Sequence, residues 1–270
     1  MKSITTKITL FIVAVLVSGL AMSQDSGEII IPLSKPGAAS SLEVDIYRGA
    51  ITITGTNRQD VLLKYKARES KEKSKNNNQA GLTRISSGAM DLEASEQDNH
   101  VEISSSSHAR GVDVIIEVPL KMSVNAESYL QGKLILTNVA GDHVVENYNG
   151  DIEATGIAGS ISASTYNGEI IIDLTSVSAD VPMSYNTYNG DIDISLPSST
   201  KASLKLKSTR GEVLTGFDVA IQQAQPVKKT DSNSGTYKVY LDDWVTGDIN
   251  GGGPLFTMKN YNGDIIIRKK

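Results

Sequence analysis

The chain has 270 residues, no cysteine, three histidines and a formal charge of −5. Without cysteine there is no disulfide and no thiolate metal site, and a mildly acidic chain without a basic cluster is a poor nucleic-acid binder. One Trp and three Phe leave Ile, Val, Leu, Thr and Ser to build the interior, as in strands packed in thin layers.

The N-terminus comes first. Lys2 and Lys7 precede an apolar run from Ile8 to Ala21, and Ala21-Met22-Ser23 places small residues at −3 and −1 of a cleavage point before Gln24. This order predicts a secretory signal peptide over residues 1–23. The run is shorter than the roughly 20 residues of a spanning helix, so no transmembrane segment is expected after cleavage. Loss of Lys2 and Lys7 takes the formal charge from −5 to −7. The remaining residues 24–270 are read as one β-strand repeat domain in the periplasm, at the cell surface or secreted.

Strands are predicted next at Ser41 to Tyr47, Ile51 to Thr54, Val61 to Lys66, Val101 to Ser105 and Val112 to Val118, outside the repeat proper. Between them, Glu69 to Gly81 is charged, amide-rich and without apolar period, and reads as a loop.

The repeat follows, its core over about 129–215. Tyr148-Asn149-Gly150-Asp151-Ile152 recurs at Tyr166 to Ile170, Tyr188 to Ile192 and Tyr261 to Ile265, with weaker copies at Tyr47 to Ile51 and Thr209 to Val213. Gly132, Gly141, Gly150, Gly159 and Gly168 are nine residues apart, and Gly190 and Gly263 head later copies. Two and four residues after each glycine stand Leu134 and Leu136, His143 and Val145, Ile152 and Ala154, Ile161 and Ala163, Ile170 and Ile172, with mostly polar residues between. Alternation after a turn residue predicts a short strand with one face inward, and Asn-Gly favours the positive φ of a corner. On that reading Gly150 needs glycine because its φ is positive.

Tyrosine precedes the glycine in alternate units, so two units make an 18-residue round. Rounds then lengthen to 22 (Gly168 to Gly190) and 21 residues (Gly190 to Gly211), which loop insertions explain. Such lengths fit an all-β solenoid of stacked short strands with Asn-Gly corners and little or no helix. A meander or sandwich of hairpins is the alternative, since Asn-Gly is also a hairpin turn. Gln222 to Gly235 reads as a second loop, and residues 236–270 as closing strands ending in a docked strand.

These residues carry a resemblance. Gly49-Ala50-Ile51-Thr52-Ile53-Thr54-Gly55, the repeated Asn-Gly-(Asp/Glu)-Ile units, and Gly251-Gly252-Gly253 followed by Asn262-Gly263-Asp264-Ile265 resemble the bacterial DUF4097 family, described as putative adhesins with a β-strand repeat. The resemblance spans residues 41–270. It implies an exported β-repeat protein with no established activity and no catalytic residues to carry over; fold by itself does not settle function.

The chemistry points the same way. His143 falls in the inward column. His100 and His108 border the Ser104 to Ser107 stretch, where a Ser–His pair would still need a carboxylate and an oxyanion hole. No catalytic residue, cofactor or metal is expected. A stacked column of Asp151, Glu169 and Asp191 is read as solvated turn residues rather than a calcium site. The ligand-binding candidates are Tyr148, Tyr166 and Tyr188 with Asp151, Glu169 and Asp191 alongside. Facing outward they would grip a glycan by ring stacking; facing inward, the expected case, they fill the corner. The function expected is adhesin-like contact with a surface glycan or envelope protein; the alternative is a periplasmic scaffold or sensory module binding a protein partner.

Overall fold

The computed structural model describes residues 25–68, 91–108, 110–222, 226–231, 236–241 and 244–270. Among them the chain is all-β, with no helix. The predicted signal peptide and the Glu69 to Gly81 stretch lie outside the described residues.

The N-terminal part contributes β1 (Ser26–Pro32), β2 (Ser41–Arg48), β3 (Ile51–Thr56), β4 (Asp60–Ala67), β5 (Glu93–Gln97), β6 (His100–Ser105) and β7 (Val112–Pro119). The repeat region supplies β8 (Ser123–Leu130), β9 (Leu134–Thr137), β10 (Ala140–Asn149), β11 (Ile152–Asn167), β12 (Ile170–Val177), β13 (Met183–Asn189), β14 (Ile192–Leu196), β15 (Ala202–Arg210) and β16 (Val213–Thr215). After it come β17 (Val219–Gln222), β18 (Pro226–Asp231), β19 (Thr236–Leu241), β20 (Val245–Ile249), β21 (Leu255–Asn262) and β22 (Ile265–Lys269).

Two parallel ladders organise these strands. The first runs β6, β2, β8, β10, the second half of β11, β13, β21, β15. The second runs β7, β3, β9, the first half of β11, β12, β14, β22, β16. Each Asn-Gly corner carries the chain from the first ladder to the second, so these corners do not close antiparallel hairpins. Val145 pairs with Ala163 and Ile152 with Ile170, an offset of 18 residues in both ladders. Antiparallel strands flank the ends: β5 on β6, β4 and then β1 beyond β7, and β20 and then β17 beyond β15.

Spatial order departs from chain order at both ends. The β2–β3 pair lies between β6–β7 and β8–β9, and β21–β22 lies between β13–β14 and β15–β16. The predicted 21-residue round from Gly190 to Gly211 is therefore not one round, because the Gly263 corner sits between them. Residues 41–56, 100–119 and 255–269 are layers of the stack itself, and 255–269 do not close it. An inserted pair makes ladder hydrogen bonds on both edges, whereas a closing pair would leave one edge open. The predicted loop at 222–235 also needs correction: Pro226–Asp231 pairs antiparallel with Thr236–Leu241.

The core lies between the ladders. Leu134, Leu136, Ile152, Ala154, Ile170, Ile172, Ile192, Ile194, Ile265 and Ile267 face it from the second ladder, and Val145, Ala163 and Met258 from the first; all are buried. Tyr185 and Phe256 are the largest side chains fully inside, packed edge to face at 6.4 Å. Tyr185 fits because its ladder neighbour is the small Ala163. In the second ladder the inward alternation is lost at β16, where Thr215 is exposed and no further layer covers the strand.

Candidate functional site

The corner joining the two ladders has more structure than Tyr-Asn-Gly-Asp. Except at Tyr47, which follows Ile46, the residue before each corner tyrosine points inward and donates to the glycine carbonyl of the neighbouring layer. Ser128 donates to Gly49 (2.9 Å), Asn147 to Gly132 (2.8 Å), Thr165 to Gly150 (3.0 Å) and Thr187 to Gly168 (3.0 Å). Ser208 holds Gly263 (2.8 Å) in the same way. Four of these donors are buried polar side chains in an aliphatic wall, tolerated because each finds its partner. Ser, Thr and Asn share no simple pattern beyond being short donors, so pentapeptide matching passes over them.

The glycines form a column of close approaches. Gly150 does not have a positive φ, contrary to the sequence expectation. Glycine is required there because a Cβ would stand 2.0 Å from the Gly132 carbonyl oxygen and 2.7 Å from Asn147 Nδ2.

Next to the glycines the asparagines form an amide row. Asn167 donates to Asn149 (2.8 Å), Asn189 to Asn167 (2.7 Å) and Asn262 to Asn189 (2.6 Å). The predicted carboxylates act on the turn backbone. Asp151 Oδ1 accepts from the Glu169 amide (3.1 Å) and Asp191 Oδ1 from the Asp264 amide (2.8 Å), while Glu169 is exposed. Lys133 reaches Asp151 at 3.2 Å and Glu153 at 2.6 Å.

The tyrosines turn outward, against the expectation that they fill the corner. Six of them make one row: Tyr47, Tyr129, Tyr148, Tyr166, Tyr188 and Tyr261, with centroids 4.8–5.4 Å apart and planes within 17°. His108 packs on Tyr47 at one end (3.9 Å) and the Arg210 guanidinium on Tyr261 at the other (5.1 Å). The four central rings are 41–42% exposed. Their faces are covered by one another, so only ring edges and hydroxyls meet solvent. Stacking of sugar rings on tyrosine faces has no free face to use.

Tyr129 escapes the nine-residue register because one extra residue separates it from Gly132, and Gln131 takes φ 61° there.

A shallow groove runs along the row, lined by Tyr129, Tyr148 and Tyr166 with Glu127, Glu146 and Ser164. The carboxylates sharing it with the tyrosines are thus Glu127 and Glu146, not Asp151, Glu169 and Asp191. They stand two residues before their tyrosines, on the same strand face, and counting back by two would have found them. Partial burial, with Asp45 and Glu146 nearby, pushes the Glu127 carboxyl above its ordinary range.

The histidines separate. His143 is buried as predicted, 2% exposed, with neither ring nitrogen hydrogen-bonded, and burial lowers its pKa to about 4. His100 pairs with Ser41 Oγ at 2.8 Å through Nδ1 and with Glu43 at 3.6 Å through Nε2, not with Ser104 to Ser107. This Ser–His–Glu set is solvent-exposed, and the Ser41 amide is already held by the Asn99 carbonyl (3.0 Å), which removes the nearest oxyanion donor.

Neither a protein-family profile nor a curated protein matches the chain. Two solved structures are similar to it. A putative cell adhesion protein from Clostridium sporogenes shares 12% identity at a TM-score of 0.46, over 91% of this chain and 100% of that one. A putative adhesin from Bacteroides fragilis shares 9% at a TM-score of 0.32, over 92% and 98%.

Proposed function

We propose that residues 24–270 form an exported, non-enzymatic β-solenoid of the DUF4097 type. Its role is adhesin-like contact at the cell surface or in the envelope. The observation that carries this reading is the outward row of six tyrosines, which places hydroxyls at strand pitch over about 24 Å. A regular row suits an extended polymer better than a compact substrate. Since the ring faces are covered, the ligand is held by hydrogen bonds from phenol hydroxyls and groove carboxylates to its own polar groups. A surface glycan, rich in hydroxyls, fits that chemistry.

The test replaces hydroxyls and keeps rings. The triple variant Tyr148→Phe/Tyr166→Phe/Tyr188→Phe is expected to lose retention on surface polysaccharide or whole cells while unfolding at the wild-type temperature. Retention equal to wild type would refute the reading.

A periplasmic scaffold is the second reading. Among the described residues β16 is paired on one side only, and its Leu214 is 46% exposed. That is an edge to which a partner strand could add.

A further inference from the structure

The outward face of the first ladder is charged in a pattern that matches itself. Reading across the strands in register, one row is Glu43, Asn125, Val144, Ser162, Ser184, Thr257, Lys205. The next is Asp45, Glu127, Glu146, Ser164, Asn186, Lys259, Lys207, and the third is the tyrosine row. Carboxylates occupy one end, small hydroxyl and amide side chains the middle, and lysines the other end. Glu127 sits between Asp45 and Glu146, and burial first, then their charges, push its carboxyl above the ordinary range. At the lysine end, Lys205 and Lys207 extend over the Trp244 ring at 4.8 and 5.9 Å.

We propose that this face pairs with the same face of a second copy of the chain, about a two-fold axis running along the second half of β11. Two-fold axes along the strands and along the stack both bring the faces together. An axis along the stack would set carboxylates on carboxylates. An axis along the strands reverses the stacking order, so β2 meets β15, β8 meets β21, β10 meets β13 and β11 meets itself. Residue by residue, Asp45 then faces Lys207, Glu43 faces Lys205, Glu127 faces Lys259, Glu146 faces Asn186, and Ser164 and Ser162 face their own copies.

The count of strands on either side of β11 makes this work. Inserting β2–β3 near one end and β21–β22 near the other leaves β2, β8 and β10 on one side of β11 and β13, β21 and β15 on the other, with β6 beyond β2, so the charges meet in register. Such an isologous contact closes as a dimer. Seven strands at about 4.8 Å by about six residues at about 3.3 Å give a face of roughly 670 Å² per copy, somewhat under the roughly 800 Å² per partner of standard interfaces. Because strand direction is preserved, both tyrosine rows come to the same rim, Tyr166 beside its own copy. The dimer would present a double row there, whatever that row binds.

Sedimentation of the exported full-length form tests the proposal. Wild type is expected to dimerise with concentration, and to do so at least about tenfold more weakly at high salt than at low, because the contact depends on complementary charge. Asp45→Lys/Glu127→Lys and Lys207→Glu/Lys259→Glu are each expected to weaken self-association at least about tenfold. An equimolar mixture of the two variants should form a heterodimer, since each introduced lysine at 45 and 127 then meets an introduced glutamate at 207 and 259. That rescue also excludes misfolding as the cause of the single losses. Wild type that stays monomeric to about 100 μM in low salt, dimers indifferent to both variants, or variants that fail to associate when mixed would each overturn it.

Discussion

The side-chain amide of Asn262 donates to Asn189 Oδ1 across 2.6 Å, although 73 residues separate them in the chain. The bond continues the row from Asn149 through Asn167, and it places the C-terminal strands inside the stack. Deleting residues 254–270 should therefore strip both β13–β14 and β15–β16 of a partner. We expect loss of cooperative unfolding and aggregation from the exposed edges, read by circular dichroism melting and light scattering. A truncated chain that melts cooperatively within a few degrees of wild type would contradict the inserted order.

Gly150→Ala should destabilise although its backbone angle would accept alanine. The added Cβ meets the Gly132 carbonyl at 2.0 Å, and moving that carbonyl disturbs the Asn147 bond to it at 2.8 Å. Overpacking of this kind costs roughly 1–3 kcal/mol. Denaturant unfolding measures it, and a change within error would remove the close-approach argument.

Thr187→Val keeps the side-chain shape and removes the donor to the Gly168 carbonyl, now 3.0 Å away. With Thr187 6% exposed, water cannot replace the lost bond easily. A loss of about 1–2 kcal/mol is expected, with the same midpoint slope in urea. Equal stability of the two proteins would show that the corner anchors are incidental.

His143 links stability to acid. Its folded pKa of about 4 lies below the ordinary histidine value of 6.5, so between those values the unfolded chain binds the extra proton. Stability contributed by the neutral ring is complete above pH 6.5 and is lost as pH falls toward 4, by on the order of 3 kcal/mol at most. Comparing wild type with His143→Ile from pH 7 to pH 4 isolates this contribution. Parallel pH profiles for the two proteins would sink it.

The exported protein should begin at Gln24. Intact mass of the protein recovered outside the cytoplasm checks this, and a mass that retains residues 1–23 would set aside the cleavage expected from the sequence.

Strand content, inward columns and corners were legible in the residues because they depend on local periodicity. A glycine, then apolar residues two and four places on, fixes which face is buried wherever the segment ends up. Leu134, Ile152 and Ile170 needed no tertiary information to be placed in the core, and neither did His143. The tyrosine ladder was likewise visible in part, since identical spacing brings Tyr148, Tyr166 and Tyr188 into line.

What the tertiary structure decided was which layers touch. Sequence distance cannot report that Gly263 stacks on Gly190, or that Tyr47 meets Tyr129, because ladder partners are selected by free hydrogen-bonding edges and shared burial rather than by proximity along the chain. It also decided the fate of the tyrosines. A side chain of alternating register must point out when the residue before it points in, and at these corners the inward place is taken by Ser128, Asn147, Thr165 and Thr187, each held by a glycine carbonyl one layer away.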